Sequence, residues 1–117
     1  MKILIVDDEK LALSRLKRIL EEEGYSEVYE ANNALEAIKI ASKEKLDLAF
    51  LDISMPNIDG LELAQTLLEL KPELFIIFQT AYSEYALDAY KSGGLDYLLK
   101  PISNESIKAC ISKLDKY

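Results

Sequence analysis

Four short apolar runs constrain this chain more than anything else in it. They are Ile3-Leu4-Ile5-Val6, Leu48-Ala49-Phe50-Leu51, Leu74-Phe75-Ile76-Ile77-Phe78 and Leu95-Asp96-Tyr97-Leu98-Leu99. Runs this short and this apolar read as strands buried in a sheet. Each one ends within two residues of a chemically distinctive side chain: Asp7 and Asp8, Asp52, Thr80, and Lys100. In an open parallel sheet, ligand chemistry gathers outside the carboxyl ends of the strands. If the runs pair in one sheet, three carboxylates, one hydroxyl and one ammonium meet in a single cleft. Such a set suits a divalent metal and a phosphoryl group, and it is poor material for a core.

Between the runs lie amphipathic stretches of helical period. Leu11, Leu13, Leu16, Ile19 and Leu20 recur at near-helical spacing from Lys10 to Glu22, and Gly24 stops that helix. A weak strand from Glu27 to Glu30 is expected at a sheet edge. Asn33 and Glu36 form a capping pair for a helix carrying Leu35, Ile38 and Ile40 as far as Glu44. Met55-Pro56-Asn57-Ile58-Asp59-Gly60 is a turn, Leu61–Leu70 a helix, and Pro72 ends it by lacking an amide donor. A helix from Ser83 to Ser92 is closed by Gly93-Gly94, and a last one runs from Ser103 to the C-terminus with Ile107, Ile111 and Leu114 on one stripe. Strands alternating with helices imply repeated βαβ units, a parallel sheet and right-handed crossovers that put helices on both faces.

At 117 residues, with no linker or low-complexity segment, the chain is expected to be one domain, 1–117. A net charge of −7 and a pI near 4.6 argue against nucleic-acid binding by this chain. Its single cysteine, Cys110, has no internal partner, which fits a reducing cytoplasmic location. No apolar segment has the length of a membrane span, and the first run is too short for a signal peptide.

Isolated acidic residues after a strand commonly do no more than favour the positive end of the coming helix. Asp7, Asp8 and Asp52 together are different, because three clustered carboxylates cannot all ionise without a compensating cation. Magnesium, a hard ion that takes a few carboxylates, water and phosphate oxygens, fits that need. Asp52 is the candidate nucleophile, able to form an aspartyl phosphate. Lys100 would add positive charge on the other side of the phosphoryl group, and Thr80 a hydroxyl. Alone, Thr80 would read as a strand-end or capping residue and Lys100 as a solvated lysine. Lys100-Pro101 sharpens the second reading, since a cis X-Pro bond would turn the lysine inward. Tyr97 alternates with Leu98 and Leu99 on the strand that delivers Lys100, so its ring could move between exposed and buried positions as Thr80 moves. Tyr85 and Tyr90 read as ordinary amphipathic packing.

Taken in order, these residues resemble the receiver domain of two-component response regulators. The resemblance covers essentially the whole chain. It rests on Ile3-Leu4-Ile5-Val6-Asp7-Asp8-Glu9, Leu51-Asp52-Ile53-Ser54-Met55-Pro56 with Asp59-Gly60, Thr80-Ala81, and Tyr97 through Lys100-Pro101. Each motif is weak alone; the joint set is specific. Thr80-Ala81-Tyr82-Ser83-Glu84-Tyr85-Ala86-Leu87-Asp88-Ala89-Tyr90, with Gly93-Gly94-Leu95-Asp96-Tyr97, is similar to the LytTR-type subfamily, whose receivers usually precede a mostly β DNA-binding domain.

The resemblance implies a single flavodoxin-like α/β domain with five parallel strands in the order 2-1-3-4-5. It implies that Asp52 accepts phosphate from the phosphohistidine of a sensor histidine kinase. Asp8 and Asp52 would bind Mg²⁺ directly, Asp7 through water, and the carbonyl of Ser54 would complete the protein ligands. Thr80 and Lys100 would contact the phosphoryl group, Tyr97 would be the switch partner of Thr80, and Ser54 and Tyr82 would tune phosphoryl lifetime. The output surface, and a possible homodimer interface, would be the face of the fourth helix, fifth strand and fifth helix (α4-β5-α5). Such a module catalyses only its own phosphorylation and dephosphorylation and is otherwise no enzyme.

Three features depart from the subfamily pattern. No output domain follows the last helix in this chain, Gln79 is polar where an apolar or small residue is usual, and Gly94 replaces a common alanine and could loosen entry to the last strand. Two rival readings remain. A phosphatase using an aspartyl phosphate would want a second aspartate two residues after a nucleophile on the first strand, and Asp7-Asp8-Glu9 lacks that spacing. A receiver-like interaction module that is never phosphorylated would not need the complete acceptor set.

Overall fold

The computed structural model describes residues 1–116, with the side chains of residues 85–87, 115 and 116 outside the description. The strands are β1 (Lys2–Val6), β2 (Glu27–Ala31), β3 (Leu48–Asp52), β4 (Phe75–Thr80) and β5 (Asp96–Leu99). The helices are α1 (Lys10–Glu22), α2 (Ala34–Lys43), α3 (Gly60–Leu70), α4 (Ala86–Lys91) and α5 (Asn104–Ser112). All four strand pairings are parallel and the order is β2-β1-β3-β4-β5, as expected. Alternate residues of the central strands serve opposite layers. Leu4, Val6, Ala49, Leu51, Ile76 and Phe78 pack with the buried faces of α2 and α3. Ile3, Ile5, Leu48, Phe50 and Ile77 pack with Leu13, Leu16, Ile19 and Leu20 of α1 and Ile107, Cys110 and Ile111 of α5. Every residue of β3 is buried, whereas in the edge strand β2 only Ala31 is, so three of the four apolar runs are the interior strands β1, β3 and β4. The fourth, β5, lies at the other sheet edge with only Leu98 buried, because no strand pairs beyond it.

Local chemistry sets the element ends. The side chain of Asn33 accepts from the Glu36 amide at the start of α2, and Asp59 accepts from the Glu62 amide at the start of α3. Ser103 and Ser106 form a reciprocal box at the start of α5. The fourth helix is shorter than its pattern suggested. Ser83–Tyr85 form a 3₁₀ turn before α4, a common way to begin a helix, and the expectation for the Tyr85 ring lies outside the described residues. The last helix likewise tightens into a 3₁₀ turn at Lys113–Lys116, and Tyr117 lies outside the described residues.

Gly94 does not loosen the entry to β5. A Cβ there would lie 2.7 Å from two ring carbons of Phe78 and 2.9 Å from the Ala89 carbonyl oxygen, so glycine allows the chain to press against the core. The Lys100–Pro101 bond is cis.

Candidate functional site

β4 continues two residues beyond its apolar run, and this extension builds the site. Val6 pairs with Leu51 and Asp52 with Gln79, so Asp7, Asp52 and Gln79 lie in one row at the carboxyl ends of β1, β3 and β4. By strand alternation all three share the face of Ile5, Phe50 and Ile77. Asp7, Asp52, Gln79 and Thr80 are the buried polar residues among those described, each no more than 3% exposed. Asp8 is exposed at the rim. Asp7, Asp8 and Asp52 each present a carboxylate oxygen, and these oxygens lie within 4.8 Å of one another.

Lys100 closes the site from β5. Its Nζ lies 2.7 Å from Asp7 Oδ2 and 3.5 Å from Asp52 Oδ2, so the tighter pair is with Asp7. The other Asp7 oxygen, Oδ1, accepts the Glu9 amide at 3.0 Å, and Asp52 Oδ1 accepts the Ser54 amide at 3.2 Å. Formal charges of three carboxylates and one lysine sum to −2, which one divalent cation would neutralise. Burial, and then the Asp7 carboxylate, push Asp52 up to about 7 against the opposing pull of Lys100 and the Ser54 amide. Burial acts to lower Lys100, but the Asp7 hydrogen bond and the Asp52 and Asp7 charges outweigh it and raise the lysine. A carboxylate destabilised by its own neighbours, with oxygen donors converging on one point, fits a divalent metal.

The turn after β3 brings its own backbone against the site. The Gly60 amide donates to the Ile53 carbonyl at 3.0 Å, and a Cβ on Gly60 would overlap the Asp52 carbonyl oxygen. Only glycine permits that approach. Within the same turn Asn57 takes φ 70°, a region that asparagine tolerates.

On the opposite face of β4, Thr80 Oγ1 accepts the Tyr82 amide at 3.1 Å. Tyr97 is half-buried against the layer containing Phe78, with Tyr90 packed edge-on at 6.0 Å between ring centres. Tyr90 is 48% exposed, and its hydroxyl donates to Asp96 Oδ1 at 3.3 Å. Ser54 and Tyr82 are exposed at the mouth of the site.

Two residues that the sequence reading gave no role stand next to these. Gln79 reaches across the row, its Nε2 3.4 Å from Asp7 Oδ2. Arg15 on α1 donates twice to the Ile102 carbonyl, at 3.2 and 3.0 Å, tying α1 to the segment after Lys100. Between them lies a cavity of about 310 Å³ lined by Glu9, Leu16, Gln79, Lys100 and Pro101 among others. The polarity of Gln79 within an apolar strand was the available signal. For Arg15 there was none, because its partner is a backbone carbonyl distant in sequence.

The family model described as the response regulator receiver domain matches residues 3–112. Among curated proteins, the transcriptional regulatory protein BtsR of Escherichia coli K12 is 41% identical, over 97% of this chain and 48% of its own length. The sensory transduction protein LytR of Streptococcus agalactiae is 38% identical, over 99% of this chain and 48% of its own. The chain therefore spans about half the length of these relatives. Among solved structures, the response regulator protein TrrA from Thermotoga maritima, in complex with Mg²⁺ and BeF, superposes with TM-score 0.88 at 41% identity. That match covers 97% of this chain and 99% of TrrA.

Proposed function

The chain belongs to the response regulator receiver family, and from that premise we propose that it is a magnesium-dependent phosphoryl switch with Asp52 as the acceptor. One observation carries the assignment: Asp52 is buried at a strand end, clustered with Asp7 and Asp8, with the Lys100 ammonium 3.5 Å away. An Oδ of Asp52 attacks the phosphorus of a phosphohistidine on a sensor histidine kinase. The P–O bond forms as the P–N bond breaks, and the imidazole nitrogen keeps the bonding pair. Asp8 and Asp52 would hold the metal directly and Asp7 through water, with the Ser54 carbonyl as the remaining protein ligand. Mg²⁺, when bound, screens the anionic nucleophile from the anionic donor and stabilises the phosphoryl oxygens.

Lys100 and Thr80 then receive the phosphoryl group, Lys100 by charge and Thr80 by its hydroxyl. Each charge-assisted bond is worth roughly 1.5–3 kcal/mol, and a full switch needs about 5 kcal/mol, so the pair supplies much of it. Movement of Thr80 draws on Tyr97, whose half-buried position leaves it free to follow. Ser54 and Tyr82, at the mouth, meter water and so phosphoryl lifetime. The signal leaves by the α4-β5-α5 face, where Tyr90 and Leu99 are 48% and 47% exposed, and a second copy can dock there. The relatives named as transcriptional regulatory and sensory transduction proteins support control of transcription; the output domain of this reading is of LytTR type and its place of action the cytoplasm. Residues 1–117 act as one receiver domain, catalysing no reaction but its own phosphorylation and dephosphorylation.

Intact mass after incubation with acetyl phosphate tests this reading. A gain of one phosphoryl group that requires Mg²⁺ and is absent from Asp52→Ala is expected. No gain in the wild type, with Mg²⁺ binding shown separately, would shift the reading to a phosphorylation-independent interaction module.

A further inference from the structure

Gln79 is the one buried polar residue of the row to which the chemistry above gives no task. It is 2% exposed, and its amide spans from β4 over Asp52 to Asp7 on β1. Burying a primary amide costs free energy unless it is hydrogen-bonded, so this placement has a cost that an apolar residue would avoid. Its partner is Asp7 Oδ2, the same oxygen that takes the Lys100 ammonium. The lysine holds that oxygen at 2.7 Å and the amide at 3.4 Å, a strong bond beside a long, weak one. The remaining Asp7 oxygen is already held by the Glu9 amide.

The two donors are not equivalent once Asp52 carries a phosphoryl group. Lys100 is the cation, already 3.5 Å from Asp52 Oδ2, and a phosphoryl group there would draw it further toward the new charge. Without Gln79, Asp7 Oδ2 would then keep no protein donor among the described hydrogen bonds, and only the water of a bound metal would be left to orient it. Gln79 is neutral, does not compete for the phosphoryl group as a cation would, and sits on the wall of the cavity of about 310 Å³, with space beside it to follow Asp7.

We propose that Gln79 is a positioning residue for phosphoryl transfer: it takes over Asp7 Oδ2 as Lys100 leaves for the phosphoryl group, keeping Asp7 oriented and easing the lysine's release. The proposal rests on the reading of Asp52 as acceptor. It makes the role of Gln79 conditional on Lys100. Gln79→Met preserves length and loses the donor, so it removes a long, weak bond while Lys100 is in place and costs more in the state in which Lys100 has moved.

A double-mutant cycle reads this directly, using beryllofluoride affinity in saturating Mg²⁺ for the wild type, Gln79→Met, Lys100→Met and the double variant. In the Lys100 background, Gln79→Met should weaken binding by about three- to tenfold, the range of one hydrogen bond. In the Lys100→Met background Asp7 keeps the same partner in both states, so the effect should vanish. An equal effect in both backgrounds, as a loss of packing would give, overturns the proposal; so does no effect in either.

If Gln79→Met fails to fold, the wild-type protein still decides. Its Gln79 side-chain amide protons should exchange with solvent more slowly in the beryllofluoride complex than in the free protein, and unchanged or faster exchange overturns the proposal. Acetyl phosphate labelling of the same wild-type sample separates the two levels. Labelling at Asp52 with no Gln79–Lys100 coupling removes the positioning role alone, and absence of that labelling removes both readings.

Discussion

Replacing Asp52 with asparagine should stabilise the metal-free protein at pH 8 and flatten its pH dependence. In the folded chain Asp52 is pushed up to about 7 from an ordinary value of 3.8, first by burial and then by Asp7. Its side chain is 4% exposed, so solvent screens it little. The folded state therefore binds the proton more tightly than the unfolded state does. As pH rises from about 4, the unfolded chain gives up this proton first and stability falls, until the folded group has also ionised above about 7. At about 1.4 kcal/mol per unit, a gap of about three units sets a ceiling near 4 kcal/mol on what ionised Asp52 costs at pH 8. Asparagine cannot ionise. Urea unfolding in chelator, followed by circular dichroism, should find Asp52→Asn roughly 2–4 kcal/mol more stable than wild type at pH 8 and about equal near pH 4. Millimolar Mg²⁺ should close much of the gap at pH 8 by stabilising the wild type alone. Parallel pH profiles for the two proteins, or a variant less stable at pH 8, would refute the claim that this cluster destabilises its own acceptor.

The same shift fixes the pH dependence of metal binding. Below about 7 the metal must displace the Asp52 proton, so apparent Mg²⁺ affinity measured by calorimetry should fall about tenfold per pH unit, and a flat profile would exclude Asp52 as a ligand. Gly60→Ala should destabilise by roughly 1–3 kcal/mol, because its Cβ would overlap backbone rather than a flexible side chain; an unchanged urea midpoint would show that the turn after β3 yields freely.

The parts of this molecule that could be read from the chain are those whose cause is local. Apolar runs mark the interior strands β1, β3 and β4 because burial on both faces selects for apolar side chains along most of their length. Asn33 and Pro72 mark helix ends, the one through its side-chain acceptor and the other through its missing amide donor. The acidic cluster was legible because parallel topology forces the ends of β1 and β3 together, so Asp7, Asp8 and Asp52 needed no further information to meet. What escaped depends on reach across the sheet. Thr80 was legible as a strand-end residue and Gln79 as an odd polar one before it, but nothing in the run ending at Phe78 showed that the Gln79 amide would span two strands to Asp7. That Lys100 pairs more closely with Asp7 than with Asp52 is a matter of under 1 Å, which no spacing in the sequence specifies. The 3₁₀ start of the fourth helix was hidden because its side-chain pattern fits either geometry.

The central claim, that Asp52 takes the phosphoryl group, is tested most directly by locating the group itself. Borohydride reduces an acyl phosphate to an alcohol, so protein treated with acetyl phosphate and Mg²⁺, reduced and digested, carries homoserine at the labelled aspartate. Tandem mass spectrometry should find homoserine at position 52 and at neither position 7 nor position 8. Homoserine at another aspartate, with position 52 unmodified, would contradict the account.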